Sequence, residues 1–263
     1  MLRNRAALGY ILGYGAHCFE LYGMRTWIVA FWTFVTAHSA GITPIGAVSV
    51  SVIVTLLSLP ASILGNEAAL RYGRHRAIKA VMLASAAVAL VIASNAGASS
   101  RLLLPLVLLY GLTVPADSGA LTSGTSASAT PLHRGATLGL HSTIGFGLSA
   151  LGAWGVGVAI DAAGGPESPT AWMAMFALLA SGILLGPLAL IWSRAGRPAD
   201  HPSLSGTAVS AERWLKSPLA AAAYDRKVSA NSPFCYRYIT LTRNLLAGSN
   251  AASSAWPLTV LMA

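Results

Sequence analysis

Three long stretches of this chain are almost free of charge. Residues 26–66 contain no Asp, Glu, Lys or Arg, residues 102–132 contain only Asp117, and residues 168–193 contain none. A helix crossing the hydrocarbon core of a bilayer needs about 20 mostly apolar residues, and each stretch supplies that length. Left in water, such runs would expose apolar surface that nothing in the chain could cover. Charged residues are 10% of the chain and hydrophobic residues 55%, against roughly 25% charged in an average soluble domain. The sequence therefore predicts an all-α integral membrane protein.

Six apolar stretches are discernible, at about 9–36, 44–64, 77–95, 102–124, 138–161 and 171–193. Short connections make successive helices antiparallel neighbours. Pro44 suits a first helical turn, and Pro60 is expected to kink the second helix. The first stretch is too long, and too polar at His17, Glu20 and Arg25, to be a signal peptide. Basic residues set the expected orientation. Arg3, Arg5, Arg71, Arg74, Arg76, Lys79, Arg134, Arg194 and Arg197 fall on one side of six spans, and Arg101 alone on the other. The positive-inside rule puts the first side, with both termini, in the cytoplasm of a cell (inner) membrane. Residues 1–193 form the transmembrane domain. Residues 194–263, holding eight of the 17 Lys and Arg, read as a cytoplasmic tail, disordered or out of frame.

The net charge of +9 does not imply nucleic acid, because the basic residues sit in short clusters between apolar stretches without interleaved aromatics. Cys18 and Cys235 are too far apart in sequence and surroundings to suggest a metal site or a disulfide framework. No metalloprotease, nucleophile-elbow or phosphate-loop signature occurs, so neither an enzyme nor a cofactor is expected. An intramembrane hydrolase built on His141 or Ser142 is the weakest reading.

The first helix carries the candidate chemistry. Ionisable residues within a span cost about 2.5–3.5 kcal/mol each on insertion scales, and they face a cavity or a partner. At about 100° per residue, Glu20 lies about 60° to one side of His17 and Arg25 about 80° to the other. The three share one broad face, expected to line a solute path or to lock helices through a Glu–Arg interaction. Asp117, in a proline-interrupted stretch, is expected to be a structural acid serving the basic loops. On the fifth stretch His141, Gly145, Ser149, Ala153, Gly157 and Asp161 recur every four residues, a small-residue stripe for close helix packing, as are Gly9 and Gly13 on the first.

The connection from Gly65 to Arg76 resembles the signature loop of the major facilitator superfamily. Arg71, Tyr72, Gly73 and Arg74 match its pattern. The family's aspartate falls on Leu70 and its leading glycine on Asn66, and Glu67 stands in for the acid. The entry to the first helix around Tyr10 to Tyr14, and Arg134 to Gly147, are similar to the starts of the family's seventh and eleventh helices. The resemblance covers about residues 3–193 and implies the C-terminal half of a twelve-helix secondary transporter. It implies that Arg71 and Arg74, with Glu67 and Gly73, form a conformational latch. It also implies that His17, Glu20 and Arg25 line the path of a small solute, with anions among the candidates, between this half and a separate N-terminal half. Glu20 would exchange a proton and Arg25 would attract an anion. The alternative is a non-transporting membrane protein whose tail binds a partner.

Overall fold

The computed structural model describes residues 4–39 and 45–194. Arg3, Pro44, Arg197, Cys235 and the expected tail lie outside them. Among the described residues seven α-helices follow one another: α1 Arg5–His38, α2 Ala47–Tyr72, α3 Arg74–Ser94, α4 Ser100–Thr113, α5 Ser118–Ser128, α6 Arg134–Ala162 and α7 Pro169–Arg194. Two 3₁₀ turns, Val114–Asp117 and Pro131–His133, lead into α5 and α6, and no strand occurs among the described residues. Each apolar stretch of the sequence became one rod, because α4, the first 3₁₀ turn and α5 form a single continuous span, Ser100–Ser128.

Five of these rods are long and apolar enough to cross a membrane: Ala47–Tyr72, Arg74–Ser94, Ser100–Ser128, Pro131–Ala162 and Pro169–Arg194. The first helix is the exception to the expected six. It is the longest, at 34 residues, but its interior polar residues keep its hydropathy below that of the others. α1 instead buries much of its surface in protein, packing along α6 and α7 and also meeting α2, α5 and the Val114–Asp117 turn.

The packing pattern repeats within the chain. α1 lies along α6 and α7, while the Ser100–Ser128 span lies along α2 and α3. α2 touches α3 as α6 touches α7, and α3 packs on α7. Exchanging the first three rods with the last three maps this pattern onto itself. Directions agree as well. Gly15 lies against Leu148, and Trp27 against Gly157, so α1 and α6 run the same way. Gly111 lies against Val54, and Ser123 donates to Asn66, so α2 and the Ser100–Ser128 span also run the same way. α1 runs opposite to α7, with Arg5 over the Trp192 ring and Phe31 against Trp172.

One local expectation changes. The signature-like connection is not a loop: α2 continues through Glu67 and Arg71 to Tyr72, and α3 begins at Arg74. Gly73 alone separates them at φ +89°, a conformation that side-chain-bearing residues adopt only with strain. Pro60 lies inside α2, as expected, a placement that spanning helices tolerate where neighbouring helices satisfy the freed backbone groups. The four-residue stripe of α6 rotates gradually across the interface: His141, Gly145 and Ser149 are buried, and Ala153 and Gly157 are half-buried against Trp27 of α1. A step of four overshoots a helical turn by about 40°, so the buried line continues through Gly152, Val156 and Ile160, and Asp161 is exposed.

Gly65 marks the tightest crossing. A Cβ there would overlap the Ala116 carbonyl in the 3₁₀ turn, whereas a Cβ at Gly139 on the outer face of α6 would meet nothing within 4 Å. Gly65→Ala should therefore destabilise the purified protein by about 1–3 kcal/mol through overpacking. Gly139→Ala should be neutral or stabilising, and thermal unfolding in detergent distinguishes the two.

Candidate functional site

The polar groups of α1 converge on the Ser100–Ser128 span. Pro115 has no N–H to donate, and around it the chain tightens into the 3₁₀ turn Val114–Asp117. Ser118 Oγ donates to the Pro115 carbonyl at 2.9 Å and exchanges a 2.8 Å hydrogen bond with Ser62 of α2. The turn brings Asp117 inward to 2% exposure. Its Oδ1 stands 2.6 Å from Nδ1 of His17, which is 1% exposed. Neither atom makes another hydrogen bond, so the charge contact alone satisfies both. It is the one ion pair among the described residues.

Glu20, one turn along α1, is fully buried. Ser85 Oγ of α3 and Tyr110 OH of α4 both donate to its Oε1, at 2.8 and 2.9 Å. Its Oε2 is buried without a hydrogen-bond partner. The carboxyl thus ties α1 to α3 and α4 through two neutral donors. Aromatic rings enclose the neighbouring part of α1: Tyr14 stacks on His17 at 5.7 Å between centroids and on His141 of α6 at 3.8 Å.

His17 and Glu20 therefore share one buried cluster, and Arg25 does not join it. Arg25 is half-buried, and its Nη2 donates to Ser58 Oγ of α2 at 2.8 Å. The expected Glu–Arg interaction is absent among the described residues. The α1 acid is held by hydroxyls, and its base neighbour by a second acid. Asp117 is likewise not a partner of the basic loops, since the 3₁₀ turn directs it to His17.

The latch residues lie elsewhere. Glu67, Arg71 and Gly73 are exposed, Arg74 is half-exposed, and no ion pair joins them among the described residues. His141 bonds Thr125 of α5 at 3.1 Å and points inward, while Ser142 is exposed, so the two are not arranged as a hydrolytic pair. No group of three metal-ligating side chains occurs among the described residues.

Sequence reasoning missed Ser85 and Tyr110. Tyr110 precedes Asp117 by seven residues, two helical turns, in a run whose one other hydroxyl before the acid is Thr113. A phenol on the acid's side of the helix was the available signal. Ser85, within an alanine-rich run, gave none.

Comparison with protein-family models, curated proteins and solved structures finds no match.

Asp117→Ala leaves His17 buried without its partner and should cost about 3–5 kcal/mol, as expected for breaking a buried pair. Removing both charges in His17→Leu/Asp117→Leu should cost less than that single change. Thermal unfolding of the three purified proteins measures the difference.

Proposed function

We propose that this chain is the C-terminal half of a secondary transporter of the major facilitator type, working by alternating access against a second six-helix half. The observation that carries this reading is the repeated packing of three rods on three. Because each set has an odd number of spans, the second set is inverted in the membrane. Inverted three-helix repeats within a six-helix half are a recurrent architecture of secondary transporters. The Arg71-Tyr72-Gly73-Arg74 match adds to it.

In this reading α1 is a sixth span. Its interior polar groups are paired within the protein, so it need not be apolar on every side, and both termini are cytoplasmic in the cell membrane. The solute is small, and Arg25, with one guanidinium nitrogen unpartnered, is the group that attracts an anionic part of it. Arg71 and Arg74 act as the latch at the α2–α3 junction, free in this conformation to engage partners in the other. No nucleotide-binding motif is present in the sequence, so an ion gradient is the expected energy source.

The test compares accumulation of a panel of small anionic and neutral solutes in cells with and without the chain. The purified chain in liposomes serves as the second arm. The reading predicts a difference in cells that is lost in Arg25→Gln at unchanged expression, and no uptake by the lone chain. Uptake by the lone chain in liposomes, or equal accumulation of every solute in cells, contradicts it. Deleting residues 194–263 separates the tail-binding alternative, which predicts loss of function with the helices still inserted.

A further inference from the structure

The rods beside α1 do not close evenly around it. In the half where α1 begins, α6 meets it at Tyr14, Gly15 and Cys18, and farther along at Phe19, Gly23 and Trp27. At about 100° per residue, those contacts carry α6 roughly a third of a turn around α1. α7 keeps to the side of Gly9, Gly13 and Ala16. In the half where α1 begins and α7 ends, α6 and α7 therefore flank α1 from opposite sides. They converge only farther along, where Gly155 of α6 lies against Leu178 of α7.

A wedge opens between them, and residues seven apart trace its three sides, because such residues share a helix face. Its floor is Arg5 and Leu12 of α1, both exposed. Phe19 closes it, with its ring over Gly182 of α7 and its backbone against Gly152 of α6. On α7, Leu185 and Trp192 continue the face of Leu178, and they are 62% and 41% exposed. On α6, Leu148 precedes Gly155 on the same face and lies against Gly15. Arg5 to Phe19 is about 21 Å along the helix. One leaflet with its head groups is about 20–22 Å, half of a bilayer, so the wedge has the depth of one lipid.

Its mouth is basic. The Arg5 guanidinium lies 5.0 Å from the centre of the Trp192 ring. Arg134 begins α6 and Arg194 ends α7, and both are exposed. None of the three is ion-paired among the described residues. Of the acids there, Glu20 and Asp117 are engaged in the interior. Asp161 and Glu167 lie at the far ends of α6 and α7, and Glu67 belongs to α2.

We propose that this wedge binds one anionic phospholipid, its phosphate held by Arg5, Arg134 and Arg194 and one acyl chain lying over Leu12 with its end against Phe19. A zwitterionic lipid brings its own ammonium into a mouth that already holds three positive charges, so the anionic lipid is favoured. Trp192 belongs at head-group level, where tryptophan rings settle. The seated lipid fills the gap that α6 leaves as it swings away and joins α6 to α7 at that surface. The site requires α1 to lie in the membrane, and it requires no transport.

Native mass spectrometry of the full purified chain, incubated with equal amounts of phosphatidylglycerol and phosphatidylcholine, tests the site. The expected result is one phosphatidylglycerol retained in preference. That preference should fall about fivefold in each of Arg5→Gln, Arg134→Gln and Arg194→Gln. It should stay unchanged in Arg76→Gln, which removes an exposed charge from α3. Leu12→Trp fills the wedge and should lower retention of both lipids in a chain that still unfolds cooperatively. If Arg5→Gln does not fold, Arg194→Gln at the end of α7 carries the test. Equal retention of the two lipids, an equal loss in Arg76→Gln, or unchanged retention in a folded Leu12→Trp overturns the proposal. Displacement of the lipid by inorganic phosphate would make the mouth a free-anion site and overturn it as well. So would a rise in retained lipid on deleting residues 195–263, which would make the tail the occupant.

Discussion

The structure depends on a single constraint: polar side chains placed inside lipid-spanning helices must find their partners on other helices. α1 carries His17 and Glu20 where neither water nor loop residues reach them. Both are satisfied by the Ser100–Ser128 span, His17 through Asp117 and Glu20 through Tyr110, and Glu20 also by Ser85 of α3. Apolar contacts between helices give little orientation in a bilayer, where lipid tails are as apolar as leucine. The polar cluster supplies it, fixing α1 in rotation and depth against the Ser100–Ser128 span.

Small residues let the rods come close enough for those contacts. Gly65 brings α2 onto the carbonyl of Ala116, within the turn that carries Asp117. Gly152 does the same for α6 against the Phe19 backbone, one residue before Glu20. The two close approaches are counterparts under the exchange of three rods with three, because α2 stands to the Ser100–Ser128 span as α6 stands to α1. The outer faces of α2 and α6 remain apolar and exposed, through Leu56, Leu59, Ile63 and Leu64 on one and Phe146, Leu151 and Trp154 on the other. Such surface belongs against lipid or another helical layer. The bundle is thus apolar on its outer faces as well as in most of its core, with one polar cluster buried beside α1.

The rods themselves were legible in the sequence because spanning length and charge exclusion are local properties. All six apolar stretches became helices, five of them within several residues of their expected bounds and α2 running on past its expected end to Tyr72. The importance of α1 was also legible, from three ionisable residues in one run. Their partners were not. Helical angle places His17, Glu20 and Arg25 on one face but cannot say which rod faces each of them. That choice depends on the crossing of α1 with α3 and α4, set by residues 60 to 100 positions away. The role of Asp117 was misassigned for the same reason: Pro115 announces a break, but the direction in which the break turns the acid is a property of the packed bundle. The α2–α3 junction was read as a loop because its charges resemble one. Only Gly73 needs a non-helical backbone, and helix runs through the charged residues on either side.

The central claim is that α1 crosses the bilayer as the inner helix of a bundle despite being the least apolar of its rods. Topology reporters fused in living cells after residue 4, within the 95–99 connection, within the 163–168 connection and after residue 194 test this most directly. The account predicts that the first and last report the same face, and the two connections the opposite one. Reporters at residues 4 and 194 on opposite faces would mean that α1 does not span, and the arrangement described here would be wrong.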